Sequence, residues 1–310
     1  MSARPVKRID VSARERLLLI AKREGRDFNL VLQLYYQERF LARLAATPHR
    51  ERFLLKGALF LFARAGGEMR QLARPTKDID LRGEAVTNDP GRLRAMLGEV
   101  CAHPMHDGVV FGTTGITTER IAEEARYPGV RLTVPVGLAG ARSRLQVDIG
   151  FGDVVTPGPQ EMCFPTQLDD MPAPTILAYS IETVVAEKFE AMITLSLVNS
   201  RMKDFYDLYQ LAGGEVFSGA VLHEAVRETF ARRGTPFLPD PTVFAHTFGT
   251  DPTRQRQWAT FLRRGRLVAA PERFAEGLEM LRAFLTPLHD ACRQGHPFSR
   301  RWSPDDLHRA

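Results

Sequence analysis

Apolar positions in the first 65 residues predict three helices. Between residues 10 and 48, leucines and aromatic residues recur at spacings of three and four, with an interruption near Gly25–Asp27. This spacing is typical of two consecutive amphipathic helices. A strongly apolar helix is predicted from Phe53 to Ala65, ending at Gly66-Gly67, because glycine often follows the last helical turn.

Alternation of apolar and polar residues then predicts strands. Residues 78–82, 129–136 and 144–151 alternate with a period of two, and Asp89-Pro90 predicts the start of a helix that continues to Val100. This order of elements indicates an α/β or α+β fold with a small sheet.

The pattern changes after Gly152. Five prolines between residues 156 and 174 predict turns, and Ser180 predicts the cap of a helix that runs to about Leu197. Further helices are predicted at 203–211, 217–232, 253–264 and 271–292. The sequence therefore predicts two domains, residues 1–160 and a mostly helical 161–310.

Composition narrows the class of protein. The chain has 310 residues, 44% of them hydrophobic, which excludes a disordered or collagen-like chain. Its three cysteines form no CxxC pair, so neither a zinc ribbon nor a redox dithiol is expected. We expect a cytoplasmic location instead. No apolar run approaches the roughly 18 residues that span a membrane.

Charge is unevenly distributed around a net value of +5. Residues 1–50 carry a net +6, residues 151–200 a net −6, and residues 251–310 a net +4. Basic ends around an acidic centre could hold a polyanion while the centre holds metal, or the charges could simply be solvated helix faces.

Lysine is rare, at six residues against 36 arginines, and four of the six (Lys56, Lys77, Lys188 and Lys203) lie in the segments with candidate chemistry. Chance is one explanation. The other is that a compact ammonium is needed where a guanidinium would not serve.

Three carboxylates suggest a metal site. Asp78 and Asp80 lie two apart on a predicted strand, so they share a face while Ile79 points into the core. Paired carboxylates together with substrate phosphates commonly hold Mg²⁺. Asp148 would add a third carboxylate from a neighbouring strand, which completes the usual arrangement for two-metal phosphoryl transfer. Solvent-facing strand positions are the alternative for all three.

A second group of charges is predicted on helices. Lys188 interrupts an apolar helix, and Asp204 and Asp207 lie three apart on the next one, so they share a face. A pair between Lys188 and Asp204 could be a structural ion pair, or a pair that contacts phosphate or positions a base.

Five segments, taken in their order along the chain, resemble the AbiEii/MenT family of nucleotidyltransferase-like toxins. They are Lys56-Gly57-Ala58-Leu59, Arg74-Pro75-Thr76-Lys77-Asp78-Ile79-Asp80, Val147-Asp148-Ile149-Gly150, Glu187-Lys188 and residues 201–209. The resemblance spans about residues 50–212. It implies an α+β, bilobed protein, with a DNA polymerase β-like core, a small mixed sheet and a helical C-terminal lobe that closes the cleft. It also implies Mg²⁺, a nucleoside triphosphate and a cognate antitoxin. Members of the MenT branch transfer nucleotides to the 3′ end of tRNA.

The resemblance also assigns roles to residues. It implies Asp78, Asp80 and Asp148 as metal ligands and Lys188 and Asp204 as catalytic residues. Nucleotide contacts are implied for Lys56, Gly57, Arg74, Thr76, Lys77 and Lys188. Thr76 matches a hydroxyl residue that a kinase-like antitoxin phosphorylates in some members. The chain departs from the family pattern at Gly57-Ala58, where Gly-Gly or Gly-Ser is usual.

Three functions follow as hypotheses. The first is a toxin that transfers nucleotides to RNA, with basic N-terminal residues and Arg263, Arg264 and Arg266 gripping the backbone. The second is nucleotide transfer to a protein or small-molecule hydroxyl. The third is a non-catalytic nucleotide-binding module that meets an antitoxin.

Overall fold

The computed structural model describes residues 8–66, 74, 76–123, 127–195 and 201–305. The chain divides into two compact units. The first consists of Met1–Ala65, Pro75–Gly152 and Gln160–Ala178, and the second of Gly66–Arg74, Asp153–Pro159 and Tyr179–Ala310. The first unit thus continues beyond residue 160, because two later strands join its sheet.

A mixed sheet forms the centre of the first unit, with eight strands among the described residues. They are β1 (Phe53–Lys56), β2 (Asp78–Gly83), β3 (Val110–Phe111), β4 (Thr117–Glu123), β5 (Tyr127–Leu138), β6 (Ala141–Gly150), β7 (Gln160–Cys163) and β8 (Thr175–Ala178). Their order is β3-β5-β6-β2-β1-β8-β7, with β4 paired to β5. β2 is parallel to β6 and β1 to β8, and the other pairs are antiparallel.

The two predicted N-terminal helices are confirmed as α1 (Ile9–Arg23) and α2 (Phe28–Ala45). The Asp27 carboxylate caps α2 by accepting hydrogen bonds from its first amides, which explains the break at this point. Arg43 on α2 makes a buried two-point ion pair with Asp107, at 2.6 and 3.1 Å. This contact fixes the helix within the first unit.

The prediction of one helix from Phe53 to Ala65 is wrong over its first four residues. They form β1, and the helix α3 begins only at Gly57 and ends at Arg64. β1 lies between β2 and β8, and all four of its residues are buried, so both faces of the strand are covered and it lacks the alternation that would identify it. A short continuous apolar run does not distinguish a buried strand from a helix. Gly67 lies outside the described residues.

The predicted strands at 78–82, 129–136 and 144–151 correspond to β2, β5 and β6. The helix after Asp89 is confirmed as α4 (Pro90–Ala102), and the Asp89 carboxylate accepts a hydrogen bond from the Arg92 amide at 2.7 Å.

The second unit is mostly helical in its described part, as predicted. Its helices are α5 (Ile181–Leu195), α6 (Met202–Gly214), α7 (Gly219–Arg233), α8 (His246–Gly249), α9 (Pro252–Gly265) and α10 (Phe274–Gln294). The predicted end of α5 at Leu197 lies outside the described residues. The hydroxyl of Ser180 accepts a hydrogen bond from the Thr183 amide and caps α5. Within the described ranges, no helix combines the length and apolarity needed to cross a membrane.

Candidate active site

Three carboxylates lie on one face of two adjacent strands. Asp80 on β2 pairs in register with Asp148 on β6, and Asp78 pairs with Gln146. Directly paired residues project their side chains to the same side of a sheet. Ile79, between the two β2 aspartates, is fully buried on the other side. The structure thus brings together Asp78, Asp80 and Asp148, as the sequence predicted.

Gly57 makes room for the Asp80 carboxylate. Its φ is +70°, in the left-handed region that favours glycine. A Cβ atom built at this position would lie 2.1 Å from Asp80 Oδ2 and 2.8 Å from its Cγ. Lys56, one residue earlier, is buried and pairs in register with Asp80. The turn from β1 into α3 is therefore shaped around Asp80.

Side chains of α2 hold the segment that leads into β2. The Gln33 side-chain amide donates to the Lys77 carbonyl at 2.9 Å. The buried Gln37 amide donates to the carbonyls of Thr76 at 3.3 Å and Asp78 at 3.4 Å. The Thr76 hydroxyl also donates to the Asp78 carbonyl, while the Lys77 side chain is exposed. These bonds fix the backbone immediately before the two carboxylates of β2.

Arg131 on β5 donates hydrogen bonds to both carboxylate oxygens of Asp148. Its Nε donates to Oδ1 at 2.9 Å and its Nη2 to Oδ2 at 2.8 Å, and the Gln146 amide adds a bond to Oδ2 at 3.2 Å. The hydrogen bond to Asp148 raises the pKa of Arg131 further above its ordinary value, although burial opposes the shift. Sequence reasoning missed Arg131, since only the β5–β6 register places it opposite Asp148.

The donor set suits Mg²⁺ bound with a nucleotide. Among the residues that the structure describes, no three or more His, Cys, Asp or Glu side chains form a group that could by itself hold a metal ion. However, Mg²⁺ is usually bound by one or two carboxylates plus substrate phosphates rather than by an all-protein cage. Asp78 and Asp80, with hard oxygen ligands on one face of β2, fit that mode of binding.

The second unit contains a buried cluster of opposite charges around Lys188. The Lys188 ammonium on α5 donates to Asp204 at 3.0 Å and to Asp207 at 2.7 Å, both on α6. The predicted contact between Lys188 and Asp204 is therefore confirmed. The Arg74 guanidinium, predicted from the resemblance to contact nucleotide, binds both Asp207 oxygens at 3.0 and 3.1 Å. Arg201 forms an ion pair with Asp204 at 2.9 Å.

These contacts fix the charge state of the cluster. Burial lowers the pKa of Lys188, but Asp207 and Asp204 outweigh it and the net shift is upward. Burial likewise raises the pKa of Asp204, but Lys188 and Arg201 outweigh it and the net shift is downward. Lys188 therefore stays protonated at neutral pH and is unsuited to act as a base. Lys203, beside them, has a pKa lowered by burial and by Arg201.

Comparisons with known proteins identify the family. No curated protein matches the chain. A structure of a Helicobacter pylori protein named as a candidate nucleotidyltransferase is 16% identical, with a TM-score of 0.47, over 87% of this chain and 99% of that one. The Helicobacter pylori protein JHP933 is also 16% identical, with a TM-score of 0.47, over 87% of this chain and 95% of its own. Residues 39–280 match the family described as nucleotidyl transferase AbiEii toxin, type IV TA system. Since that match covers most of the chain, including both groups of candidate residues, the protein belongs to the AbiEii family of nucleotidyltransferase toxins.

Proposed function

We propose that this toxin uses Mg²⁺ to transfer nucleotides from a nucleoside triphosphate to an RNA acceptor, the 3′ end of tRNA, and so blocks translation. The family implies a nucleoside triphosphate substrate and an antitoxin partner. The observation that carries the catalytic part is the arrangement of Asp78, Asp80 and Asp148 on one face of β2 and β6. Carboxylates on neighbouring strands suit metal-assisted phosphoryl transfer.

The reaction assigns a role to each carboxylate. The acceptor hydroxyl attacks the α-phosphorus, an oxygen–phosphorus bond forms, and pyrophosphate leaves. Asp78 and Asp80 would hold Mg²⁺, which supplies positive charge to the phosphate oxygens when bound. Asp148 would accept the proton of the attacking hydroxyl. Gly57 leaves the space that the Asp80 carboxylate occupies.

The charge of the second unit suits a phosphate-bearing ligand. Four cations (Lys188, Arg74, Arg201 and Lys203) surround two carboxylates (Asp204 and Asp207), a surplus of positive charge. We assign Lys188 to neutralising phosphate charge and Asp204 to orienting Lys188. Both assignments require a protonated Lys188 and an ionised Asp204, which are the charge states that their mutual contact favours.

Exposed basic residues support a nucleic-acid acceptor. Arg263, Arg264 and Arg266 lie at the C-terminal end of α9 with their side chains exposed. Residues 1–50 carry a net charge of +6, although Arg39 and Arg43 within this segment are buried. Guanidinium groups of this kind bind RNA mainly through its phosphates, because the backbone dominates affinity.

A labelled-triphosphate transfer assay on total RNA tests the proposal. Each of the four nucleoside triphosphates is supplied in turn, with and without Mg²⁺, and RNA and protein are separated before counting. We expect label in tRNA with wild type and none with Asp80→Ala. Asp170→Asn, which removes an exposed carboxylate from the same unit, is the matched control and should retain transfer. Label in protein or in a small molecule would refute the RNA acceptor.

A further inference from the structure

A row of charges crosses four adjacent strands of the sheet. Arg131 on β5 pairs in register with Asp148 on β6, Asp148 with Asp80 on β2, and Asp80 with Lys56 on β1. The side chains of such a row project from the same face. Two carboxylates therefore lie side by side with a cation at each end.

The cation next to Asp148 binds it through a fork rather than a single contact. Arg131 donates to both carboxylate oxygens, and Gln146 donates a third hydrogen bond, to Oδ2. An ionised carboxylate offers about four lone-pair positions, so these bonds leave one, on Oδ1. Bidentate pairs of this kind fix the orientation of a carboxylate as well as its charge.

We propose that Arg131 is a positioning residue, which presents a single lone pair of Asp148 to the reaction and competes electrostatically with a divalent cation for the three carboxylates. The inference rests on the proposed function, which places such a cation at Asp78 and Asp80. Loss of the Arg131 charge leaves Asp148 and Asp80 adjacent with fewer neutralising neighbours. The carboxylate face then attracts a cation more strongly.

Mn²⁺ titration of the full chain without nucleotide, followed by electron paramagnetic resonance, measures this competition directly. We expect Arg131→Gln to lower the Mn²⁺ Kd about tenfold, since a positive charge near the ion is removed. Arg50→Gln is the matched control. It breaks an ion pair with Glu161 in the same unit, and the Arg50 side chain is 30% exposed against 33% for Arg131. Its Kd should equal that of wild type.

Arg131→Lys separates charge from positioning. A lysine keeps the positive charge but lacks the fork that holds both oxygens. We expect an Mn²⁺ Kd within about twofold of wild type, because one positive charge remains. We also expect kcat for nucleotide transfer to fall at least tenfold. This variant also serves if Arg131→Gln does not fold, which thermal unfolding of each variant will reveal.

The outcomes separate the inference from the proposed function. An Mn²⁺ Kd that is unchanged or higher in Arg131→Gln overturns the inference, as does Mn²⁺ binding by no form of the protein. If Mn²⁺ binds more tightly but RNA receives no label, the acceptor assignment fails and the electrostatic role of Arg131 stands. A full kcat in Arg131→Lys would remove the positioning role.

Discussion

Gly57→Ala should damage the candidate active site through one added methyl group. The new Cβ would lie 2.1 Å from Asp80 Oδ2, 2.8 Å from Cγ and 2.9 Å from Cβ of the same residue. Contacts this short force the Asp80 side chain or the turn to move. Because Asp80 is assigned to the metal, we expect nucleotide transfer to be lost together with stability.

The stability cost has two parts. A left-handed backbone costs a residue with a Cβ about 1–2 kcal/mol, and relieving the overlap adds about 1–3 kcal/mol. Gly25→Ala isolates the first part. Gly25 lies in the same unit with φ of +62°, and its Cβ would meet no atom within 4 Å. We therefore expect Gly57→Ala to cost about 2–5 kcal/mol and Gly25→Ala about 1–2 kcal/mol.

Urea unfolding of the single variants and of a double-mutant cycle provides the measurement. Asp80→Gly removes all three atoms that the new methyl group would meet. Gly57→Ala should therefore cost less in the Asp80→Gly background than in wild type, by the overlap contribution. Equal costs in both backgrounds, or a Gly57→Ala enzyme with full activity, would refute the proposed packing of Gly57 against Asp80.

Two further predictions concern titration and salt. Burial raises the pKa of Glu38 to about 7 against the opposing effect of Arg39. The folded protein therefore holds this proton over a range in which the unfolded chain has lost it. The contribution of Glu38 to the free energy of unfolding is fully present below about pH 4.5 and falls by about 3 kcal/mol as the pH rises to 7. Urea unfolding across this range should show a free energy of unfolding that depends less on pH in Glu38→Gln than in wild type. An unchanged pH dependence would contradict the raised pKa of Glu38. For RNA binding, Arg263→Ala/Arg264→Ala should make the fall of log affinity with log salt less steep, by about 1–2 in slope. The change should exceed that produced by the control pair Arg92→Ala/Arg94→Ala, two exposed arginines on α4. Equal changes in slope for the two pairs would exclude α9 from the RNA interface.

Local pattern was sufficient for the elements that carry the β2 carboxylates and Lys188. Asp78 and Asp80 flank a fully buried Ile79, so alternation alone predicts their common face. The spacing of Asp204 and Asp207 similarly places both on one side of α6, where both contact Lys188. Each of these predictions depends on residues close together in sequence.

Features that depend on distant partners were not predictable in the same way. Strand β1 has no alternation, because its side chains are buried on both faces of the sheet. Arg131 meets Asp148 only through the β5–β6 register, which no local pattern specifies. The resemblance alone implies a nucleotide contact for Arg74, whereas its observed partner, Asp207, lies 133 residues away along the chain. The strands β3, β4, β7 and β8 were also not predicted.

The proposed catalysis is tested by the transfer of labelled nucleotide to tRNA by wild type and by Asp80→Ala, with the folded state of both proteins verified by urea unfolding. We expect Mg²⁺-dependent label at the tRNA 3′ end with wild type and none with Asp80→Ala. Undiminished labelling by a folded Asp80→Ala protein would contradict the proposed catalysis.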